Sequence, residues 1–381
     1  MGIRRIVEQD VEDACIDWLE ELGYQYVYGP EISPDGINPE RKDYKDVILV
    51  DRLRTALEKI NNHLPKDAID SALKKIVYPD TPNLLDNNHN FHKMLTDGVD
   101  LEYELNGQTE YDKAWPIDFE NVENNEFLVV NQFTVIDKGE RRPDVILFVN
   151  GMPLVIIELK NPRDPKATLW KAWHQVLSTY KDEIPNLFVH NELIVVSDGI
   201  DAKFGGITSD WVRFAPWKTI DGENIAPESE PKLKVVIKGM FKKKRILDMI
   251  RNFIVIETDG PEIIKKLANY HQVRATNKAI QHTVRASSPT GDKRIGVVWH
   301  ATGSGKSLAM VTLAGKIIQE SFMKNPTIVV ITDRNDLDDQ LFQTFFKSRD
   351  ILRQKPEQAD SRSHLRKLLQ VVAGGVVFTT I

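Results

Sequence analysis

Apolar residues near the start of the chain recur at the spacing of amphipathic helices. The first such pattern covers residues 7–22 and ends at Gly23, a common helix stop signal. Two further patterns predict helices over residues 48–60 and 66–76. The polar stretch PDTPNLLDNNHNF comes next and predicts a long irregular region. We therefore expect helices, then an irregular connection, before any sheet begins.

From Phe127 the pattern changes to short β-branched runs, which predict strands. The runs are FLVVNQFTVI, DVILFV, LVIIELK and ELIVVS, and a helix is predicted over residues 168–183, between the last two. Together they predict an α/β domain with a central sheet. Residues 214–231 are rich in proline, glycine and charge, so we expect a domain boundary between them and Gly260.

After that boundary, predicted strands and helices alternate. The helices cover residues 262–286, 307–322 and 337–346, and the strands cover residues 295–299, 327–332 and 376–380. Such alternation favours a parallel sheet with crossover connections. We predict one domain at residues 1–240, a linker at 241–260 and a second domain at 261–381. Because Ile381 directly follows a predicted strand, we expect the second domain to be incomplete.

Composition indicates an ordinary globular protein. The 381 residues leave room for two to three domains, and 41% hydrophobic with 28% charged residues is typical of chains that bury apolar cores. No apolar run approaches the roughly 18 residues of a membrane span, and the start of the chain lacks a signal-peptide core, so we predict a cytoplasmic protein that contacts no membrane. The single cysteine, Cys15, excludes a disulfide framework and a thiolate metal cluster.

Charge is unevenly distributed around a net value of -6. Residues 97–126 contain ten acidic side chains and one lysine, whereas residues 232–245 contain seven basic side chains and no acidic one. We interpret both runs as solvated faces. The alternative for the basic run is a surface that follows nucleic-acid phosphates.

A predicted hairpin brings two carboxylates together. Two apolar runs flank Asn150-Gly151, the strongest short hairpin signal. Asp144 lies seven residues before Gly151 and Glu158 seven after it, so both fall at the same end of an antiparallel pair. Lys160 is two residues beyond Glu158 and projects from the same face, because side chains alternate along a strand.

That trio suits phosphodiester hydrolysis. Asp144 and Glu158 are hard oxygen ligands for Mg²⁺, and the peptide oxygen of Leu159 could add another. Lys160 would orient an attacking water or stabilise charge that develops on the phosphate. A carboxylate within such apolar strands would be unfavourable without a purpose. The alternative is a salt bridge among strand-end groups on the surface.

The second motif is VVWHATGSGKS, in which a predicted strand runs through a glycine-rich turn into a predicted helix. This is the context of a phosphate-binding P-loop. The strict pattern has glycine where this chain has His300. Lys306 is predicted to reach the β and γ phosphates of ATP, and Ser307 to bind Mg²⁺. The predicted nucleotide-binding residues of the loop are Thr302, Gly303, Ser304, Gly305, Lys306 and Ser307.

These residues resemble two known families. Pro143-Asp144 and Glu158-Leu159-Lys160 resemble the motif of the PD-(D/E)xK nuclease superfamily, and Thr302 to Ser307 resemble motif I of superfamily 2 helicases. The fold class implied is α/β: a PD-(D/E)xK nuclease-like domain, then an incomplete RecA-like parallel motor lobe that ends before Walker B. In such motors an upstream glutamine reads adenine, which points to Gln272 here.

The nuclease resemblance also points to helical residues. In related nucleases a helical glutamine, followed four residues later by tyrosine, lies beside the site. Here Gln175 fits as a fourth catalytic candidate, but the tyrosine is one residue late, at Tyr180, and its role stays open. A carboxylate from the opening helix often completes the metal site in such folds. For Glu8 and Glu12 we favour exposed helix-surface charge.

The order of the motifs, with the nuclease motif before HATGSGKS, VVITDRNDLDDQ and VVFTTI, resembles the R subunit of type I restriction enzymes. The resemblance implies an ATP-driven DNA translocase that cuts double-stranded DNA with Mg²⁺, and thus a type I site-specific deoxyribonuclease. It also implies modification and specificity subunits as partners. S-adenosylmethionine is implied only for that complex.

Three alternatives remain at this point. A type III restriction or repair nuclease-helicase usually places its nuclease after the motor, so the order here counts against it. A non-catalytic DNA-binding scaffold would not need Asp144, Glu158 and Lys160 together. The third alternative is a plain P-loop ATPase or kinase with an unrelated N-terminal domain.

Overall fold

The computed structural model describes residues 8–161, 163–164 and 166–381 and divides the chain into two compact units, residues 1–251 and 252–381. Val7, the first residue of the predicted opening helix, lies outside the described residues. The helices of the first unit are α1 (Glu8–Glu20), α2 (Val50–Ile60), α3 (Lys66–Val77), α4 (Leu84–Asp97), α5 (Leu169–His174), α6 (Lys181–Glu183), α7 (Pro185–Val189), α8 (Lys232–Met240) and α9 (Lys243–Asn252). No described helix is both long and apolar enough to cross a bilayer.

The first unit is built on a mixed six-stranded sheet with the order β1-β4-β7-β8-β9-β10. The outer pair β1-β4 and the pair β8-β9 are parallel, and the other neighbours are antiparallel. Two small hairpins, β2-β3 and β5-β6, lie outside this sheet. The strands are β1 (Gln25–Tyr28), β2 (Val99–Leu105), β3 (Gln108–Ala114), β4 (Phe127–Asn131), β5 (Val135–Ile136), β6 (Glu140–Arg141), β7 (Val145–Val149), β8 (Met152–Leu159), β9 (Leu193–Ser197) and β10 (Ala202–Gly205).

The second unit contains a parallel sheet with the order β13-β15-β14 and an antiparallel hairpin, β11-β12. Its strands are β11 (Ile254–Asp259), β12 (Glu262–Leu267), β13 (Ile328–Thr332), β14 (Glu357–Gln358) and β15 (Val376–Thr380). Its helices are α10 (Tyr270–Ser287), α11 (Lys306–Gln319), α12 (Asn335–Lys347), α13 (Arg349–Leu352) and α14 (Arg362–Leu368). Phe378 of β15 packs against Phe345 of α12 at the centre of the core, with ring centroids 5.0 Å apart. The α/β prediction is confirmed.

The prediction of a long irregular region is wrong, because residues 84–97 form α4. Asn83 caps the helix by accepting hydrogen bonds from Leu85 N and Asp86 N. The inward face of α4 is partly polar: Asn88 donates to three backbone carbonyls, and His92 contacts the buried Glu192 carboxylate at 2.8 Å. Because buried polar side chains replace apolar ones, the helical spacing is hidden in the sequence.

Three predictions also differ from the structure in or near the second unit. The predicted linker, residues 241–260, forms α9 and β11, since its apolar side chains are buried. Residues 262–267 form β12 rather than helix, because they pair with β11 across a turn at Gly260. Residues 295–299 form no strand; within the described residues they have no ladder partner, and Val297 is 96% exposed.

The turn of the β7-β8 hairpin is closely packed. Asn150 and Gly151 both have positive φ, at 52° and 77°, as a type I′ turn requires. The Gly151 carbonyl accepts a hydrogen bond from Leu49 N at 2.9 Å, where α2 begins. A Cβ added to Gly151 would lie 2.5 Å from the Leu49 carbonyl oxygen.

We expect Gly151→Ala to destabilise the protein much more than Gly107→Ala. Both glycines have φ near 78°, at 77° and 79°, but a Cβ at Gly107 meets nothing within 4 Å. Gly107→Ala should lower the free energy of unfolding by about 1 kcal/mol from backbone strain alone. Gly151→Ala should add roughly 1–3 kcal/mol from overpacking. Urea denaturation of the two variants measures the difference, and equal losses would contradict it.

Candidate active site

A single extra residue in β8 aligns the two predicted carboxylates. Next to the turn, Phe148 pairs with Pro153, but beyond it Leu147 pairs with Val155, so Leu154 has no partner and forms a bulge. At the next positions Val145 pairs with Ile157, which places Asp144 level with Glu158. Asp144 Oδ2 accepts a hydrogen bond from Leu159 N at 2.6 Å. The predicted register is therefore correct, although it depends on a bulge that the symmetrical count did not include.

Glu158 is almost fully buried, with 1% of its surface exposed, yet one of its oxygens is well supplied with donors. Oε1 accepts hydrogen bonds from Lys160 Nζ at 2.7 Å and from Gln175 Nε2 at 2.6 Å. Tyr180 Oη lies 3.4 Å from the same oxygen. The structure thus brings all four predicted catalytic residues, Asp144, Glu158, Lys160 and Gln175, to one end of the β7-β8 pair.

A π-helical turn explains why the tyrosine is one residue late. The helix that begins as α5 continues as a π-helix from Gln175 to Tyr180 before α6. A π-helix places residues five apart, rather than four, on one face. Gln175 Nε2 accordingly donates to Tyr180 Oη at 2.5 Å, and both side chains face Glu158. Sequence spacing alone left Tyr180 open; the structure places it beside the site.

Burial raises the pKa values of both carboxyl groups. The pKa of Asp144 rises to about 6, chiefly through desolvation, with smaller effects from its neighbours. The pKa of Glu158 rises to about 8, through desolvation and then repulsion from Asp144. Burial alone would lower the pKa of Lys160, but the adjacent Glu158 carboxylate leaves it above the usual range. Two carboxylates that are hard to ionise together suit a site for a cation.

The oxygens of the site match the requirements of a divalent cation. Glu158 Oε2 is buried, and the described residues provide no hydrogen-bond partner for it. The Asp144 carboxylate acts electrostatically on Glu158, and the Leu159 carbonyl accepts a hydrogen bond from Lys160 Nζ at 3.0 Å; both are oxygen ligands of the kind Mg²⁺ prefers. Within the described part of the chain, no group of three or more His, Cys, Asp or Glu side chains could hold a metal by itself. A cation here would therefore use two carboxylates and backbone oxygen.

The opening helix contributes two carboxylates with different surroundings. Glu12 is only 3% exposed and accepts hydrogen bonds from Asn131 Nδ2 at 2.7 Å and Gln132 Nε2 at 3.0 Å. The prediction of an exposed surface charge is therefore wrong for Glu12, because these amides satisfy the carboxylate in the interior. Glu8 is exposed, as predicted, and its charge helps to raise the pKa values of Asp144 and Glu158.

The glycine-rich loop of the second unit precedes a helix, as predicted. Gly303 and Gly305 have φ values of 78° and 80°, and Lys306 is the first residue of α11. Lys306 Nζ donates to the carbonyls of His300 and Ala301, each at 3.2 Å, so the side chain folds over its own loop. A helix N-terminus with an adjacent ammonium group attracts phosphate. Thr302 is exposed, and Ser304 Oγ donates to the Ala301 carbonyl at 2.7 Å.

Gln272 lies against this loop but is already engaged. It is 2% exposed, and its side-chain oxygen accepts from Asn269 N at 2.7 Å as part of a capping box at the start of α10. Its amide donates to the Gly305 carbonyl at 2.8 Å. The structure thus brings Gln272 and the loop together, and it shows a capping role that sequence reasoning missed.

The basic run at residues 232–245 is largely occupied by contacts within the first unit. Arg245 donates to the carbonyls of Ile220, Gly239 and Asp221. Lys238 pairs with Glu21 and donates to the Trp18 carbonyl. These contacts give the run a structural role.

Comparison with known proteins identifies the family. The model of the type I restriction enzyme R protein N terminus matches residues 5–213, more than half of the chain. The chain belongs to this family, and the resemblance to the R subunit of type I restriction enzymes is confirmed. A second model, the SWI2/SNF2 ATPase, matches residues 271–381 and covers the glycine-rich loop.

Individual relatives agree with that assignment. The chain is 44% identical over 380 residues to the type I restriction enzyme HindI endonuclease subunit of Haemophilus influenzae. The alignment covers 98% of this chain and 36% of that protein. MjaIXP of Methanocaldococcus jannaschii is 34% identical over 394 residues, or 97% of this chain and 37% of that protein. The type I restriction enzyme SauCOLORF180P endonuclease subunit of Staphylococcus aureus is 29% identical over 225 residues, 58% of this chain and 22% of that protein. The chain thus spans about a third of the length of the first two relatives.

The raised pKa values predict how the stability of the metal-free protein depends on pH. A carboxyl group whose folded pKa exceeds its unfolded value stabilises the fold at low pH, and this contribution is lost as pH rises through the folded pKa. Stability in EDTA should therefore fall from about pH 4, where unfolded carboxyl groups ionise, to about pH 8, the pKa of Glu158, and the loss due to Asp144 is complete above its pKa of about 6. Each group contributes at most about 1.4 kcal/mol per pH unit.

Thermal denaturation of wild type and Glu158→Gln across this pH range measures the effect. The variant should lose less stability with rising pH, because it has one fewer group to ionise. Mg²⁺ should stabilise wild type more at pH 8 than at pH 5. Parallel pH curves for the two proteins would show that Glu158 titrates normally.

Proposed function

We propose that the first unit is a Mg²⁺-dependent DNA nuclease with a PD-(D/E)xK-like fold. The observation that carries the proposal is the convergence of Lys160, Gln175 and Tyr180 on one oxygen of Glu158, while the other oxygen has no hydrogen-bond partner among the described residues. A surface salt bridge would not need a carboxylate that is 1% exposed. Family membership and the endonuclease names of the relatives support the same conclusion.

Each side chain then has a distinct task. Asp144 and Glu158, with the Leu159 carbonyl, would hold the metal. Gln175 and Tyr180 contact Oε1 of Glu158 and would hold the carboxylate with Oε2 available to the metal. Lys160, with Nζ 2.7 Å from Glu158 Oε1, would stabilise negative charge on the phosphate and orient the attacking water.

When bound, Mg²⁺ supplies positive charge that favours ionisation of water and neutralises the phosphodiester. The protein contribution is the desolvated pair that binds it. Exposed Glu8, whose charge raises the pKa of Glu158, would add a further acidic group to this site.

We propose that the second unit is the first lobe of a RecA-like motor that binds ATP with Mg²⁺. Lys306 would move from the carbonyls of His300 and Ala301 to the β and γ phosphates, and Ser307 would bind the metal. Gln272, which donates to the Gly305 carbonyl, would read adenine once its loop contacts rearrange. Thr332 and Thr380 pair at the same end of β13 and β15, where side chains could contact a DNA strand.

The combination supports a type I site-specific deoxyribonuclease that translocates double-stranded DNA in the cytoplasm with modification and specificity subunits. S-adenosylmethionine would be used only by that complex. The names of the relatives support the restriction function over a type III or repair enzyme and over a plain ATPase or kinase. The presence of Asp144, Glu158 and Lys160 together argues against the non-catalytic scaffold.

Lys160→Met and Asp144→Asn should strongly reduce cleavage and leave ATP turnover intact in the enzyme assembled with its partner subunits. We expect cleavage to fall by about 10²–10³-fold, because the substitutions remove charge stabilisation or a metal ligand. Cleavage and ATP hydrolysis are measured on the same DNA. Lys74→Met, which changes an exposed lysine of α3, is the matched control. Equal loss of both activities in Lys160→Met would contradict a separate nuclease site.

Lys306→Ala should weaken ATP binding by roughly 10–100-fold, as expected for loss of a charged hydrogen bond to phosphate. Fluorescent ATP analogue binding to the chain, with Mg²⁺ present, measures this affinity. Lys367→Ala, on the exposed side of α14, should leave it unchanged. Unaltered affinity in Lys306→Ala would remove the glycine-rich loop as the nucleotide site.

A further inference from the structure

A cluster of aromatic rings lies on the surface around α5, the helix directly before the candidate residue Gln175. Trp170, Trp173 and His174 occupy one face of α5, and Trp211 continues the row. The ring centroids are 6.2 Å apart for Trp170–Trp173, 5.3 Å for Trp170–His174 and 6.2 Å for Trp173–Trp211. Trp170 is 47% exposed, which is unusual for so large an apolar side chain. We call these four residues the aromatic row.

Contacts with buried neighbours hold the row in place. Trp173 Nε1 donates to the Ser209 carbonyl at 3.2 Å, which fastens α5 to the loop before Trp211. Trp211 stacks on the buried Phe214, with ring planes inclined by 22°. The aromatic faces are therefore preorganised. A tryptophan that only filled the core would be buried, whereas about half of the Trp170 side chain is exposed to solvent.

Positive charges border the row. Lys203 Nζ lies 4.1 Å from the centre of the Trp211 ring, and Lys171 and Arg213 are exposed beside the aromatic side chains in the sequence. The one acidic residue within the 209–214 segment, Asp210, accepts a hydrogen bond from Arg213 N at 3.0 Å. A surface of flat rings with adjacent cations is chemically complementary to nucleotide bases and phosphates.

The row is continuous with the candidate active site. His174 directly precedes Gln175, whose side chain contacts Glu158 at 2.6 Å, and the helix passes from α5 into the π-helix without interruption. Any DNA bound along α5 therefore lies within two helical turns of Gln175.

We propose that the aromatic row binds unpaired bases of the DNA substrate next to the position of cleavage. The inference rests on the proposed nuclease function and defines its substrate more closely. Trp170 stacks with a base that has left the duplex, and Lys203 contacts the adjoining phosphates. The faces of bases inside an intact duplex are covered by their neighbours, so an exposed indole distinguishes opened DNA from closed DNA.

The first test compares binding of two DNA duplexes of equal length to the whole 381-residue chain in EDTA. One duplex is fully paired, and the other contains a short unpaired thymidine bubble. Fluorescence anisotropy should show tighter binding of the bubble. Trp170→Ala should weaken bubble binding by about tenfold, within the usual range for loss of one base-stacking contact, and change duplex binding less than about twofold. Trp170→Phe should recover most of the affinity.

Two further variants separate stacking from charge and from general surface effects. Tyr111→Ala removes another exposed aromatic residue, on β3, and should leave bubble binding unchanged. Lys203→Gln should reduce the salt dependence of bubble binding by about 0.7 in the log–log slope, the amount expected for one single-strand phosphate contact. An unchanged slope would remove Lys203 from the proposal.

A cross-linking measurement keeps the proposal testable if the tryptophan variants do not fold. Bromodeoxyuridine in the bubble of the wild-type complex should cross-link to Trp170 or its neighbours on irradiation. Cross-links found only elsewhere, or equal affinity for both DNAs, would overturn the proposal. Loss of binding to a partner subunit in Trp170→Ala, with bubble binding intact, would overturn it in favour of a protein interface.

The same experiments distinguish failure of the row from failure of the nuclease. Binding in EDTA does not require cleavage, so Asp144→Asn should retain the preference for the bubble. If the chain prefers bubbles but the assembled enzyme cleaves normally with Asp144→Asn, the nuclease assignment fails and the binding surface stands. If cleavage depends on Asp144 but bubbles and duplexes bind equally, only the aromatic row fails.

Discussion

The burial of Glu158 is the constraint around which the first unit is organised. Every residue of β8 is buried, so a carboxylate on either face of this strand is separated from water. Desolvation of this kind is unfavourable unless hydrogen bonds or opposite charges replace the lost water. Lys160, Gln175 and Tyr180 compensate one oxygen, and they come from the end of the strand and from the following helix. Residues from two separate elements of the fold thus stabilise a single buried side chain.

Two irregularities of one residue each make that convergence possible. The bulge at Leu154 shifts the β7-β8 register; without it, the pairing beside the turn would place Asp144 opposite Ile157 instead of Glu158. The π-helix likewise adds one residue to a turn and brings Tyr180 onto the face of Gln175. Bulges and π-turns interrupt regular hydrogen bonding and are common at functional sites. Here the bulge brings Asp144 level with Glu158, and the π-helix brings Tyr180 close to the Glu158 carboxylate.

The sequence was sufficient to predict elements with a clear apolar period and side chains fixed by local geometry. Asn150-Gly151 placed the hairpin, and alternation placed Lys160 on the face of Glu158. It was insufficient where polar groups take apolar positions, as in α4 with Asn88 and His92, or where a carboxylate is satisfied by distant amides, as for Glu12. Those partners are a hundred or more residues away in the chain, so no local pattern indicates them.

The energetic balance at Glu158 also bears on whether the site is used. For stability alone, an apolar residue at this position would fit β8 and would remove a carboxyl group whose pKa is raised to about 8 by burial and by Asp144. Buried charges of this kind seldom stabilise a fold relative to well-packed apolar side chains. A scaffold would gain from losing the pair, whereas a site that binds a cation requires it. The arrangement therefore supports the proposal that Asp144 and Glu158 hold a cation.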